Sequence, residues 1–281
     1  MTNTGRIITV DGIELRLREG AGGPVMVMLH GIGSNMTSFD GLSSALPKDW
    51  TLLAWNAPGY GGSHPLDKVA PAAADYADRL AGVVARLDLP PFILAGHSLG
   101  TLMAVSFARR HPELVRALVL LACAQGYGET PGQLSAKAQA RLDDLARLGA
   151  AEFARTRAPR LMFRPEAMPE IRDRAIAAMS QINPQGYAQA VRMLAGGDQK
   201  GDAAHARVAS LVLAGAEDVI TPADQGAGVH AALDLASPDL PHEFALVPEG
   251  GHIFHQEFPV QTAAHVTAFA ARISGLSEVM A

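Results

Sequence analysis

At 281 residues the chain is long enough for one large α/β domain carrying an insertion, and it can bury a sizeable core without disulfide or metal staples. A formal net charge of -5, spread without blocks and with no basic stripe, gives no electrostatic footprint for nucleic acid or for an anionic membrane surface. The one cysteine, Cys123, cannot form an internal disulfide, and its apolar run "ALVLLACA" makes it a buried small hydrophobe rather than a nucleophile.

In chain order, "MTNTGRIITV" has no basic n-region leading into an apolar h-region, and nowhere do eighteen apolar residues run together. These features predict a cytoplasmic protein with no membrane partner. From Arg6 to about Leu17 two β-rich runs flank Asp11-Gly12, a dipeptide suited to the positive φ of a tight hairpin. Apolar runs follow at 24–30, 50–56, 91–97, 115–122, 208–215 and 242–248, most without period-two alternation. Such runs suit strands buried on both faces of a parallel sheet. Between them Tyr76, Leu80, Val83, Val84 and Leu87 form one helical stripe, and Val266, Phe269, Ala270 and Ile273 form another. The alternation predicts an α/β fold with a mostly parallel, doubly wound sheet.

Between about Ala124 and Ala206 the alternation breaks into helix-rich sequence dotted with arginines, too long for a connecting loop. It reads as an inserted helical cap. The expected organisation is a first core segment at 1–123, a cap at 124–206, and a second core segment at 207–281.

Chemistry enters at "GHSLG" (96–100), a G-x-S-x-G match led in by the strand run "FILAG" and led out by a helical pattern. That setting is what a nucleophile elbow requires, because a sharp turn flanked by glycines exposes the serine hydroxyl. Ser98 is the candidate nucleophile, against the simpler role of a helix N-cap. The Leu99 N–H at the helix start would donate to a developing oxyanion. A serine needs a base, and the base an orienting acid. Asp218 in "LVLAGAEDVITP" stands just past a strand run and is preferred to Glu217. In "VPEGGHIFHQE", Gly250-Gly251 is read as a flexible loop that hangs His252 over the sheet as the base, while His255 faces the following helix.

The order Ser98, Asp218, His252 resembles that of the α/β-hydrolase fold superfamily. "LHGIGSN" (29–35) resembles its oxyanion loop, which implies a second donor at Ile32 and a structural His30. "WNAPGYGGS" (55–63) is similar to the D-x-x-G-x-G-x-S loop of many members, with Asn56 where aspartate is common. "INPQGYAQAVRMLAGGD" (182–198) with "ARVASLVLAGAEDVITP" resembles the cap exit and acid loop of 3-oxoadipate enol-lactonases and their esterase relatives. That resemblance implies a serine hydrolase acting on a small-molecule ester or lactone.

Other members cleave carbon–carbon bonds in vinylogous diketones, act as cofactor-free perhydrolases, or bind ligands without catalysis. His97 and "GIGSN" depart from the first of these, His97 from the second, and a complete triad from the third. Arg160 and Arg192 in the cap are candidates for forked recognition of a substrate carboxylate. Met162, Phe163 and Met193 are read as either pocket wall or cap core. The sequence lacks H-E-x-x-H, paired C-x-x-C and a strand-bounded G-x-G-x-x-G, so no metal and no cofactor is expected, and no oligomeric state is implied.

Overall fold

Asp11 and Gly12 turn the chain with φ of 48° and 73°, so that β1 (Arg6–Val10) and β2 (Ile13–Arg18) pair antiparallel with Val10 opposite Ile13. The computed structural model containing this hairpin describes residues 5–130 and 132–279. The remaining strands are β3 (Val25–Leu29), β4 (Thr51–Trp55), β5 (Phe92–His97), β6 (Val115–Leu121), β7 (Ser210–Gly215) and β8 (His242–Val247). All form one sheet in the order β1-β2-β4-β3-β5-β6-β7-β8, parallel from β4 to β8. The six apolar runs of the sequence lie on these six strands, with ends displaced by no more than two residues.

Helices α1 (Asp40–Ala45), α2 (Ala73–Arg86), α3 (Leu99–Arg110), α8 (Ala223–Ala236) and α10 (Pro259–Val279) flank the sheet. Side chains alternate between its faces. Val27, Leu94, Leu118 and Leu120 pack with α2, α3 and α8, while Met28, Ala95, Val119 and Leu121 pack with α1 and α10. Each large apolar side chain sealed in these layers contributes about 1.5–3 kcal/mol. Cys123 belongs to the first layer, and burial pushes its thiol up to about 12.

Between β6 and β7 the chain forms α4 (Ala136–Arg157), α5 (Pro169–Met179), α6 (Pro184–Ala195) and α7 (Gln199–Ala203). Helix α4 bends at Gly149, whose φ of 69° and ψ of 162° interrupt the helix. Phe153, Ala154, Met162, Met179, Tyr187 and Val191 form a third apolar core among α4, α5 and α6. Helix α7 lies against α3 and α8 instead, so the final part of the inserted segment packs with the sheet domain rather than over it. A short helix, α9 (Phe254–Glu257), follows β8. Among the described residues no helix is long and apolar enough to cross a membrane.

Candidate active site

Ser98 directly follows β5 and directly precedes α3, at φ 49° and ψ −115°, a conformation that a side-chain-bearing residue occupies only when its surroundings impose it. The surroundings here are backbone. A Cβ on Gly96 would come within 2.4 Å of the Gly100 carbonyl oxygen, and one on Gly100 within 2.1 Å of the Leu29 carbonyl oxygen. Ser98 N–H donates to the Leu121 carbonyl at 2.9 Å, and Thr101 returns its amide and hydroxyl to the Ser98 carbonyl at 2.9 and 2.6 Å. Although Ser98 occupies the N-cap position of α3, its hydroxyl caps nothing.

The candidate backbone donors are Leu99 and Ile32. Leu99 is the first residue of α3, so its N–H has no intrahelical acceptor, and its own side chain is buried in the core. The loop after β3 brings Gly31 so close that a Cβ there would lie 3.1 Å from Ser98 Cβ, and Ile32 follows on the cavity wall. His30 fixes this loop. Its Nε2 accepts from Ala57 N–H at 3.0 Å, which leaves Nδ1–H to donate to the Gly31 carbonyl at 2.8 Å. Burial lowers His30 to about 4, so this tautomer stays neutral at pH 7. Asn56 serves the same scaffold by accepting from Met36 N–H at 2.9 Å and donating to Glu14.

The candidate acid lies on the loop after β7. Asp218 Oδ1 accepts from the amides of Ile220 (2.7 Å) and Thr221 (3.0 Å), while Oδ2 accepts from the Thr221 hydroxyl (2.8 Å) and His252 Nδ1 (2.9 Å). Burial alone would raise its pKa, but the adjacent His252 and these hydrogen bonds hold the carboxyl below its ordinary range. Glu217 is exposed, whereas Asp218 is buried against His252.

The histidine loop is pinned rather than flexible, contrary to the reading of Gly250-Gly251. Gly251 N–H donates to the buried carboxylate of Glu257 at 2.9 Å, Ile253 N–H to the Leu161 carbonyl at 3.2 Å, and His97 Nε2 lies 2.9 Å from the His252 carbonyl. Glycine is needed at 251 because a Cβ would meet the Phe163 amide nitrogen at 2.6 Å. His255 packs on Phe39 and His97, with ring centroids 5.4 and 4.3 Å apart. Among the described residues no hydrogen bond joins Ser98 to His252; such pairs often close only around substrate.

Ser98, His252 and Ile32 open onto a cavity of about 600 Å³ between the sheet edge and the cap. Arg160 lines it. Arg192 does not: it lies on the outer side of α6 beside Leu66, Asp67 and Lys68, with its guanidinium turned back to the Ala188 carbonyl. Met162 and Met193 are buried in apolar cores, and Phe163 lies under the Arg164 guanidinium at 4.7 Å, so none of the three forms cavity wall. The sequence reading missed Arg141, Arg157, Tyr127 and Tyr187, which line the cap side. Among the described residues no three His, Cys, Asp or Glu side chains gather in a metal-binding group.

A family model described as the α/β hydrolase fold matches residues 24–259. A pimeloyl-[acyl-carrier protein] methyl ester esterase of Chromobacterium violaceum is 30% identical over 250 residues, 87% of this chain and 94% of its own length. A 2-(acetamidomethylene)succinate hydrolase of Mesorhizobium japonicum is 37% identical over 116 residues, so the chain spans 41% of that relative's length. In structure, the chain is similar to an enol-lactonase from Burkholderia xenovorans, with a TM-score of 0.81, 21% identity and coverage of 95% of this chain and all of that one.

Proposed function

Because the chain belongs to the α/β-hydrolase fold family, we propose that it is a serine hydrolase cleaving a small carboxylic ester or lactone through an acyl-enzyme. The observation that carries this reading is the strained Ser98 opening onto the same cavity as a His252 whose Nδ1 is held 2.9 Å from Asp218. In this mechanism His252, its Nδ1–H donated to Asp218, takes the Ser98 proton through Nε2 as the hydroxyl attacks the carbonyl carbon. The amides of Ile32 and Leu99 stabilise the oxyanion, each worth about 3 kcal/mol in the transition state. His252 then protonates the departing oxygen, activates a water and regenerates Ser98 as the acid product leaves.

The names of two relatives, a methyl ester esterase and an enol-lactonase, support an ester or lactone as the bond cleaved. The test is kcat/KM on an aryl acetate, a muconolactone-type enol-lactone and a vinylogous diketone acid, beside Ser98→Ala. Hydrolysis of the ester or the lactone that is lost in Ser98→Ala is the expected result. Preference for the diketone, or a Ser98→Ala variant as active as wild type, would overturn the reading.

A further inference from the structure

The chain carries a net charge of -5, yet the cavity wall reverses that sign. Its lining includes Lys137, Arg141, Arg157, Arg160 and Arg174 against a single carboxylate, Asp40, which is itself paired with Arg16. Lys137, Arg160 and Arg174 stand exposed at the rim. Arg141 is different. It projects from α4 toward the phenols of Tyr127 and Tyr187, its Nε is sealed from solvent without an acceptor, and among the described residues no carboxylate pairs with it. Arg157 stacks on Phe153 at 4.9 Å and has only Asp144, 3.6 Å away and shared with Arg147, to oppose it.

Arginine keeps its proton in proteins, so this arrangement cannot relax by neutralising itself. Burial first, then the charges of Arg141 and Arg160, disfavour the cationic form of Arg157 more than Tyr187 and Asp144 favour it. Like charges gathered on one cavity wall repel one another, and among the described residues the carboxylates set against them are Asp40, already paired with Arg16, and Asp144. A planar carboxylate accepts two parallel N–H bonds from one guanidinium and can accept further bonds from the flanking phenols.

We propose that the cap side of the cavity is a carboxylate receptor centred on Arg141 and seconded by Arg157, so that the substrate is an ester or lactone bearing a carboxylate remote from the bond that is cut. This proposal rests on the hydrolase reading for the bond cleaved, but the receptor stands on the cap residues alone. Arg192, which the sequence suggested for such a role, lies outside the cavity.

The test pairs 4-nitrophenyl hydrogen glutarate with 4-nitrophenyl valerate, of similar length and without the charge. Wild type favours the glutarate ester in kcat/KM by at least about tenfold, and that ratio falls toward one in Arg141→Gln and with rising salt. Binding of free glutarate and of neutral glutaramide to Ser98→Ala, followed by calorimetry, reads the receptor without turnover. Glutarate that binds while glutaramide does not supports the receptor, even if neither ester is hydrolysed and the hydrolase reading fails. Equal kcat/KM for the two esters, with no glutarate bound, overturns the receptor and leaves the hydrolase standing. Methyl phosphate binding more tightly than glutarate also overturns it, because the anion would then be a phosphate. Should Arg141→Gln fail to fold, Arg157→Gln and the wild-type salt dependence carry the same comparison.

Discussion

The buried carboxylate of Glu257 accepts a 2.9 Å hydrogen bond from the amide of Gly251, the residue immediately before His252. Its other oxygen accepts from the Phe163 amide at 3.2 Å, so one side chain ties the histidine loop to the chain leaving the first cap helix. Glu257→Ala leaves two enclosed N–H groups without an acceptor and should destabilise by roughly 1–3 kcal/mol for each. Thermal denaturation measures that loss. Because the loop carries His252, kcat should fall more than KM rises, whereas a purely structural role would leave both unchanged in the folded fraction.

The strain at Ser98 predicts two opposite effects on stability. Ser98→Gly should be inactive yet more stable by about 1 kcal/mol, since glycine occupies positive φ without penalty. Gly100→Ala should yield little folded protein, because its Cβ would lie 2.1 Å from the Leu29 carbonyl oxygen. Chemical denaturation of the purified variants checks both.

Asp218→Asn should lower kcat by roughly 10³–10⁴-fold while leaving the fold intact, because the amide presents the wrong partner to His252 Nδ1. Thr221→Val removes the hydroxyl that lies 2.8 Å from Asp218 Oδ2 and 3.1 Å from His252 Nδ1, and should cost about tenfold. Steady-state kinetics on the best ester of the panel reads the order: Asn far below Val, Val below wild type.

Acid should unfold the protein through its buried histidines. Burial lowers His30 to about 4 and His255 to about 3, against 6.5 when unfolded, so below pH 6.5 the unfolded chain binds protons that the native state refuses. Their stabilising contribution is complete above pH 6.5 and is lost as pH falls toward 4 and 3, at about 1.4 kcal/mol per pH unit for each group. Neither ring nitrogen of His255 has a hydrogen-bond partner. His255→Phe should therefore flatten the fall in stability between pH 6.5 and 4, and an unchanged slope would contradict this account.

The residues legible in the sequence are those whose position follows from the ends of strands. Ser98, Asp218 and His252 each lie just past an apolar run, and in a parallel sheet the carboxyl ends of β5, β7 and β8 meet at one edge. The strands themselves were legible because a run such as "FILAG" has no polar side chain to place at a surface. The cap arginines were not. Arg192 and Arg141 have similar helical neighbours, and only the docking of α6 and α4 turns one toward Lys68 and the other toward Tyr127. The role of Glu257 was equally hidden, because its partners, Gly251 and Phe163, lie 6 and 94 residues away and are joined only by tertiary folding.

The proposed mechanism makes Ser98 a nucleophile activated by His252. The most direct measurement is the stoichiometry and rate of fluorophosphonate labelling of the full chain, with the modified peptide located by mass spectrometry. One label per chain at Ser98 is expected, slowed by several orders of magnitude in His252→Ala and absent in Ser98→Ala. Labelling elsewhere, no labelling, or the same rate in His252→Ala would contradict it.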